Sequence, residues 1–165
     1  MGRRYGKRDG KMFTAGGIPK SPFAFAKHSG YSAVYVVKDK ELGRPCKIGI
    51  SGDPPHRARS MLTDSWRKLE LCTYFWFAGA RVSERVESAA HGMVDEHRVH
   101  GEWFDIDGEE AEMAVVLAAK EVGVEIIDEE ELASRHLALL QEQAAMVDSG
   151  YNSLDYFARR IHTLR

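Results

Sequence analysis

Residues 33–51 read AVYVVKDKELGRPCKIGIS. The first five are small, β-branched or aromatic, the composition of a half- or fully buried strand. Gly43 and Pro45 then mark a turn, and CKIGIS (46–51) resumes as a second short strand. That order predicts an antiparallel hairpin with a longish loop. Gly49, inside the second strand, marks a point where another backbone or a ligand comes close. Tyr35 and Lys47 are the two polar residues for which this apolar frame alone has no use.

The next residues open a helix. Asp53 is an N-cap, and Pro54 and Pro55 follow it where their missing N–H groups cost nothing. The helix is expected to pass Arg57 and end near Thr63. LELCTYFWFAG (69–79) reads as a long apolar and aromatic strand at the centre of the sheet. From Ser83 to His97 the pattern turns helical, with Val82, Val86, Ala90, Met93 and His97 recurring every three or four residues. At roughly 100° per residue, Glu84, Glu87, His91 and Arg98 share a narrow sector beside that apolar stripe. A carboxylate that must be partly desolvated yet reachable belongs at such a boundary. Spacing alone favours a plainer reading, a solvated face with Glu87 and His91 as a weak i,i+4 pair.

Beyond it, GEWFDID (101–107) predicts a turn and a short strand, with Trp103 and Phe104 closing the core. EEAEMAVVLAAKEVG (109–123) is an amphipathic helix with an acidic first turn and a glycine stop. VEIID (124–128) suits a short edge strand. A further helix runs from there to Gly150, and residues 152–164 form one more, with Leu154, Phe157, Ala158 and Ile161 as its apolar face. Residues 1–30 are rich in Gly, Lys and Arg without periodicity and predict a largely irregular arm, with Phe23 and Phe25 docking on the domain. Trp66, between helix and strand, is expected to pack. Three parts result: an arm over 1–30, a core over 31–107, and a helical extension over 108–165 packed on the core. The extension reads as a cap, a homodimer contact or a surface for a protein partner.

The net charge of −2 conceals an asymmetry. Residues 1–30 carry seven Lys/Arg against one Asp, residues 31–110 eleven against fourteen acidic residues, and residues 111–165 five against ten. A polyanionic partner therefore suits the arm, and a solvated tail describes it equally well. Cys46 and Cys72 make no disulfide framework and sit in apolar runs as buried thiols. His91, His97 and His100 have no nearby cysteine pair and do not give a closed four-ligand zinc site. No stretch is apolar enough to span a bilayer and no apolar run follows the basic start, so a soluble cytoplasmic protein is expected.

Several of these pieces, taken in order, resemble the GIY-YIG nuclease superfamily. They are AVYVV (33–37), KIG (47–49), an Arg on the next helix (Arg57), E-x-x-x-H on a later helix (Glu87, His91), and GEWF (101–104). The pattern is most similar to the divergent phage and bacterial branch in which KIG stands for YIG. The resemblance covers roughly residues 31–107, and it raises the functional reading of Glu87 above the plain one. It implies an α/β sandwich with a small antiparallel sheet flanked by helices. It also implies a metal-dependent DNA endonuclease or nickase that hydrolyses phosphodiester bonds with Mg²⁺ or Mn²⁺.

Under that resemblance Tyr35 takes a proton from the attacking water or positions it. A phenol ionises near pH ~10, so it needs a neighbouring cation to act as a base, and Lys47 offers one. Most relatives carry a second tyrosine at the Lys47 position, so which of the two is the base stays open. Arg57 faces the scissile phosphate. Glu87 holds the metal ion, with water and phosphate oxygens completing its shell. His91 contacts the leaving-group side or a phosphate, or else orients Glu87. Two departures stand out. Ala33 replaces the first glycine of GIY, and the only Asn, Asn152, lies beyond the matched region. A non-catalytic module that keeps the fold and binds nucleic acid or protein is the alternative.

Overall fold

The computed structural model describes residues 18–65 and 67–148. In chain order its elements are α1 (Pro22–His28), β1 (Ser32–Asp39), β2 (Cys46–Ser51), α2 (Pro54–Asp64), β3 (Leu69–Phe77), α3 (Ala80–Met93), β4 (Arg98–His100), β5 (Trp103–Phe104), α4 (Gly108–Val122) and α5 (Glu129–Asp148). The chain divides into two units. Tyr31–Asp128 forms one, and Met1–Gly30 with Glu129–Arg165 forms the other.

In the first unit the hairpin forms as its sequence dictates. β1 and β2 pair antiparallel, with Tyr35 opposite Gly49 and Val37 opposite Lys47. β1 also pairs antiparallel with β3, and the five strands run in the order β3-β1-β2-β5-β4. The long apolar β3 is therefore an outer strand, not the central one expected. β1, buried along nearly all its length, takes the inner place, while residues 71–75 of β3 are only half-buried. Near its C-terminal end, the Ile127 N–H donates to the Trp76 carbonyl at 2.9 Å, a single bridge where an edge strand was expected.

Alternation along the strands builds two apolar layers. Val34, Val36, Cys46 and Ile48 face α3 and α4, which contribute Val86, Ala90, Ala111, Ala114, Val115, Ala118 and Ala119. The alanines let the two helices lie close together over the sheet. On the opposite face Tyr35 and Val37 pack with Leu69 and with Ala58 of α2, against half-buried Met61 and Trp103. The result is a small antiparallel sheet between helices, an α+β fold with a helical C-terminal part. Among the described residues no helix is long and apolar enough to cross a membrane.

Helix ends follow local chemistry. The Asp53 carboxylate accepts from the His56 N–H at 3.2 Å, with prolines at the first two helical positions. Asp107 accepts from the Glu109 and Glu110 N–H groups while Glu110 reaches back to the Asp107 N–H, a complete capping box for α4. Gly123 ends α4 in the left-handed region at φ 74°. α3 stops at Met93, followed by a 3₁₀ turn over Asp95–His97. Arg98 therefore belongs to β4, paired with Asp95 at 2.7 Å, and leaves the helical sector in which its spacing had put it. Gly92, a poor helix former, stands just before the stop.

In the second unit PFAFAKH, expected as irregular chain, is helical. Ser21 caps it by accepting from the Ala24 N–H at 3.1 Å, and Pro22 occupies the first helical position. The Phe25 ring stacks on that of His136 in α5 with centroids 5.3 Å apart, and His136 Nε2 lies 2.6 Å from the Pro19 carbonyl. The basic arm before residue 18, Trp66, the stop at Gly150, Asn152 and the helix expected over 152–164 lie outside the described residues.

Gly49 carries a stability prediction. A Cβ built there would stand 2.7 Å from Tyr35 Oη and 2.8 Å from its Cζ, and Tyr35 is only 1% exposed, so the ring has nowhere to move. Gly49→Ala is expected to cost about 1–3 kcal/mol in chemical denaturation. Adding Tyr35→Phe should restore only part of it, because Cζ remains. Full restoration, or no loss at all, would show that the ring is free to shift.

Candidate active site

The charged residues singled out in the sequence gather around β2. Lys47 projects from the face that carries Tyr35, and its neighbour across the next ladder is Trp103 of β5. Its side chain is 13% exposed, and its ammonium is held by the Glu102 carboxylate, in the turn entering β5. Ile48 has both ladder groups turned toward that side. Its N–H donates to the Glu102 carbonyl at 3.3 Å, and its carbonyl accepts from His91 Nε2 at 3.0 Å. β5 pairs with β2 only through Cys46 and Lys47, so an imidazole from α3 takes the next position along the ladder. A carbonyl only accepts, so the proton of this hydrogen bond sits on Nε2. The ring also lies 5.0 Å from that of Phe104, centroid to centroid.

One helical turn before His91, Glu87 is half-buried. Burial pushes its carboxyl up from the ordinary 4.5 to about 7, the charge of Glu102 adds to this, Lys47 offsets it only in part, and Glu84 contributes further. Glu87, Glu102 and Lys47 thus share one local field with two acids to one cation. Partly desolvated oxygen donors carrying excess negative charge fit a small hard cation such as Mg²⁺. Among the described residues no group of three or more His, Cys, Asp or Glu side chains stands ready for a metal. An ion here would therefore be held by few protein oxygens and would keep much of its water, as Mg²⁺ commonly does.

Arg57 approaches from α2. It is exposed, makes no ion pair among the described residues, and lines with Lys47 a pocket of about 490 Å³ whose other walls include Ser60, Met61, Leu69 and Trp103. Tyr35 is a diagonal neighbour of Lys47 on the same face, but its ring lies buried under Gly49 and is not part of the pocket wall. The structure therefore brings Lys47 together with Arg57 in one pocket, and Lys47 together with Glu87 around Glu102. Tyr35 sits beneath them, and His91 is committed through Nε2 to the strand backbone.

Glu102 escaped the sequence reading, which took GEWF as frame. The pairing held the signal: Trp103 stands opposite Lys47 across the β2–β5 ladder, which leaves Glu102, the residue before it in the turn, within reach of the lysine. Cys46 is buried, which raises its thiol to about 12 and leaves it unreactive.

A thin antiparallel sheet between helices, with Lys47 of an inner strand sharing a pocket with Arg57 and an ion pair with Glu102, defines an α+β domain with a charged site at β2. The chain belongs to the T5orf172 domain family, whose profile matches residues 32–119. That is a phage-associated domain in the GIY-YIG/HNH-like, nuclease-related set. The match runs from the start of β1 into α4 and takes in every residue of the site. Comparison with curated proteins gave no match, and neither did comparison with solved structures.

Proposed function

We propose that this domain is a GIY-YIG-type endonuclease or nickase that hydrolyses DNA phosphodiester bonds with Mg²⁺ or Mn²⁺. One observation carries the proposal: the half-buried Glu87 shares its field with Glu102 and Lys47, and Lys47 in turn lines a pocket with Arg57, whose guanidinium has no ion pair among the described residues. In this reading Glu87 is the protein ligand of the metal ion. When bound, the ion supplies Lewis-acid stabilisation of charge on the phosphate oxygens.

Arg57 binds the scissile phosphate through its planar, permanently charged fork and stabilises the charge that builds as the bond breaks. Lys47, clamped by Glu102, holds a fixed positive charge between that phosphate and the carboxylates. The resemblance gives the Tyr35 hydroxyl, which rests against the β2 backbone at Gly49, the task of orienting the attacking water, and at 1% exposure the residue can meet that water only through the edge of the hydroxyl. His91 acts as a positioning residue, because its bond to Ile48 fixes the turn of α3 that carries Glu87.

The burial of Tyr35 favours a second reading, a module that binds DNA or a protein partner without cutting. Supercoiled plasmid separates the two. The purified chain with Mg²⁺ or Mn²⁺ is expected to produce nicked or linear product, chelator should stop it, and Tyr35→Phe should slow it at least about 100-fold. DNA that is bound but stays supercoiled under every metal condition would leave the binding module standing.

A further inference from the structure

We propose that the pocket beside Lys47 and Arg57 binds one unpaired nucleotide of single-stranded DNA, its base stacked on Trp103 and its phosphate on Arg57. The inference deepens the reading above and rests on it only for the identity of the polymer.

The walls of this pocket divide by chemistry. Arg57 supplies a cation beside the paired Lys47, while half-buried Trp103 and Met61 and buried Leu69 supply the apolar surface. Register fixes the neighbourhood, since Trp103 and Lys47 are direct partners across the β2–β5 ladder and project to the same face. Lys47 already has the Glu102 carboxylate as its partner, so Arg57, with no ion pair among the described residues, is the cation left for an incoming phosphate. A guanidinium next to an indole is the pairing that takes a phosphate and its base together.

Two further facts favour a base outside a duplex. The pocket, about 490 Å³, is of small-ligand size. A paired base has both faces covered by its neighbours, and its ring reaches an indole only after leaving the stack. Residues 31–110 carry eleven basic against fourteen acidic residues. A region whose acids outnumber its bases has little means of gripping a long run of duplex phosphates. Stacking supplies affinity that charge does not, and it is available from every base. The preferred substrate is then DNA with a gap, flap or other single-stranded segment beside the cut.

The test uses the full chain in chelator, where nothing is cut, with a labelled single-stranded oligonucleotide and a blunt duplex of the same sequence followed by fluorescence anisotropy. The single strand should bind more tightly. Trp103→Leu should weaken single-strand binding about 5- to 100-fold and leave duplex binding unchanged, while Trp103→Phe, which keeps an aromatic face, retains most of it. Arg57→Gln changes an exposed helical position and should weaken single-strand binding even if Trp103→Leu does not fold.

Tighter binding of the duplex, or single-strand binding indifferent to Trp103→Leu or to Arg57→Gln, overturns the proposal. Its failure is distinct from that of the nuclease reading. Plasmid cutting that depends on Glu87, without any preference for single strands, removes the pocket and keeps the nuclease. Trp103-dependent binding without cutting does the reverse.

Discussion

Glu87→Gln is expected to abolish DNA cutting, by about 1,000-fold or more, and at the same time to make the folded protein more stable at pH 8. The first effect follows from its place as the proposed metal ligand, since losing one electrostatic partner of a phosphoryl transition state already costs about 100- to 1,000-fold. The second follows from the carboxyl being raised from 4.5 to about 7, with burial as the main cause and Glu102 next. A raised carboxyl means that the folded state holds the proton more tightly than the unfolded chain. The ionised group therefore opposes folding fully above about pH 7, and the penalty fades as pH falls toward 4.5.

Glutamine has no charge to bury, so its thermal gain should appear at pH 8 and vanish near pH 4.5. Mg²⁺ should raise the melting temperature of the parent protein at pH 8 and leave the variant unmoved. Plasmid nicking and thermal unfolding on the same samples check both halves. Cutting at the parent rate ends the metal assignment, and a variant less stable at pH 8 ends the account of a crowded acid.

Phe104→Ala should have the largest effect on stability, about 3–5 kcal/mol, a large share of the 5–15 kcal/mol typical of a whole domain. The ring is fully buried, pairs across the ladder with Cys46, lies 5.0 Å from the His91 ring, and carries the Arg98 guanidinium 4.7 Å above its face. Its loss leaves a cavity where β5, α3 and β2 meet. Glu102 and His91 would lose their backing, so metal-dependent cutting should fall even below the unfolding temperature. Val99→Ala, on a side chain 62% exposed in the adjacent strand, should change stability by less than about 0.5 kcal/mol. A urea titration compares them. Equal costs would mean that the ring adds nothing beyond bulk.

What the sequence made legible was local. The β1–β2 hairpin, the Asp53-Pro54-Pro55 helix start and the acidic first turn of α4 each depend on residues within a few positions, and each stands as expected. The position of β3 depended on which strand flanks which, and its own apolarity could not decide that. α1 was hidden because seven residues are too few to show a period, and Phe25 makes sense only beside His136, 111 positions later. Arg98 was misplaced because a helical wheel does not register where the helix stops. Glu102 was missed for a related reason, since its partner Lys47 lies 55 positions back in the chain. For the candidate site, residue types and order were readable. The burial of Tyr35 and the capture of Lys47 by Glu102 arise only when distant segments meet.

The imidazole that completes the ladder at Ile48 has a consequence for how these molecules meet one another. A strand that runs out of partners normally offers its amides and carbonyls to any extended peptide nearby, and sheets join through such rims. Here the vacant position beyond the two-residue β5 is filled from a helix, and a ring cannot pass the pattern on to another chain. Growth of the sheet is therefore blocked at Ile48, the residue next to the lysine of the charged site.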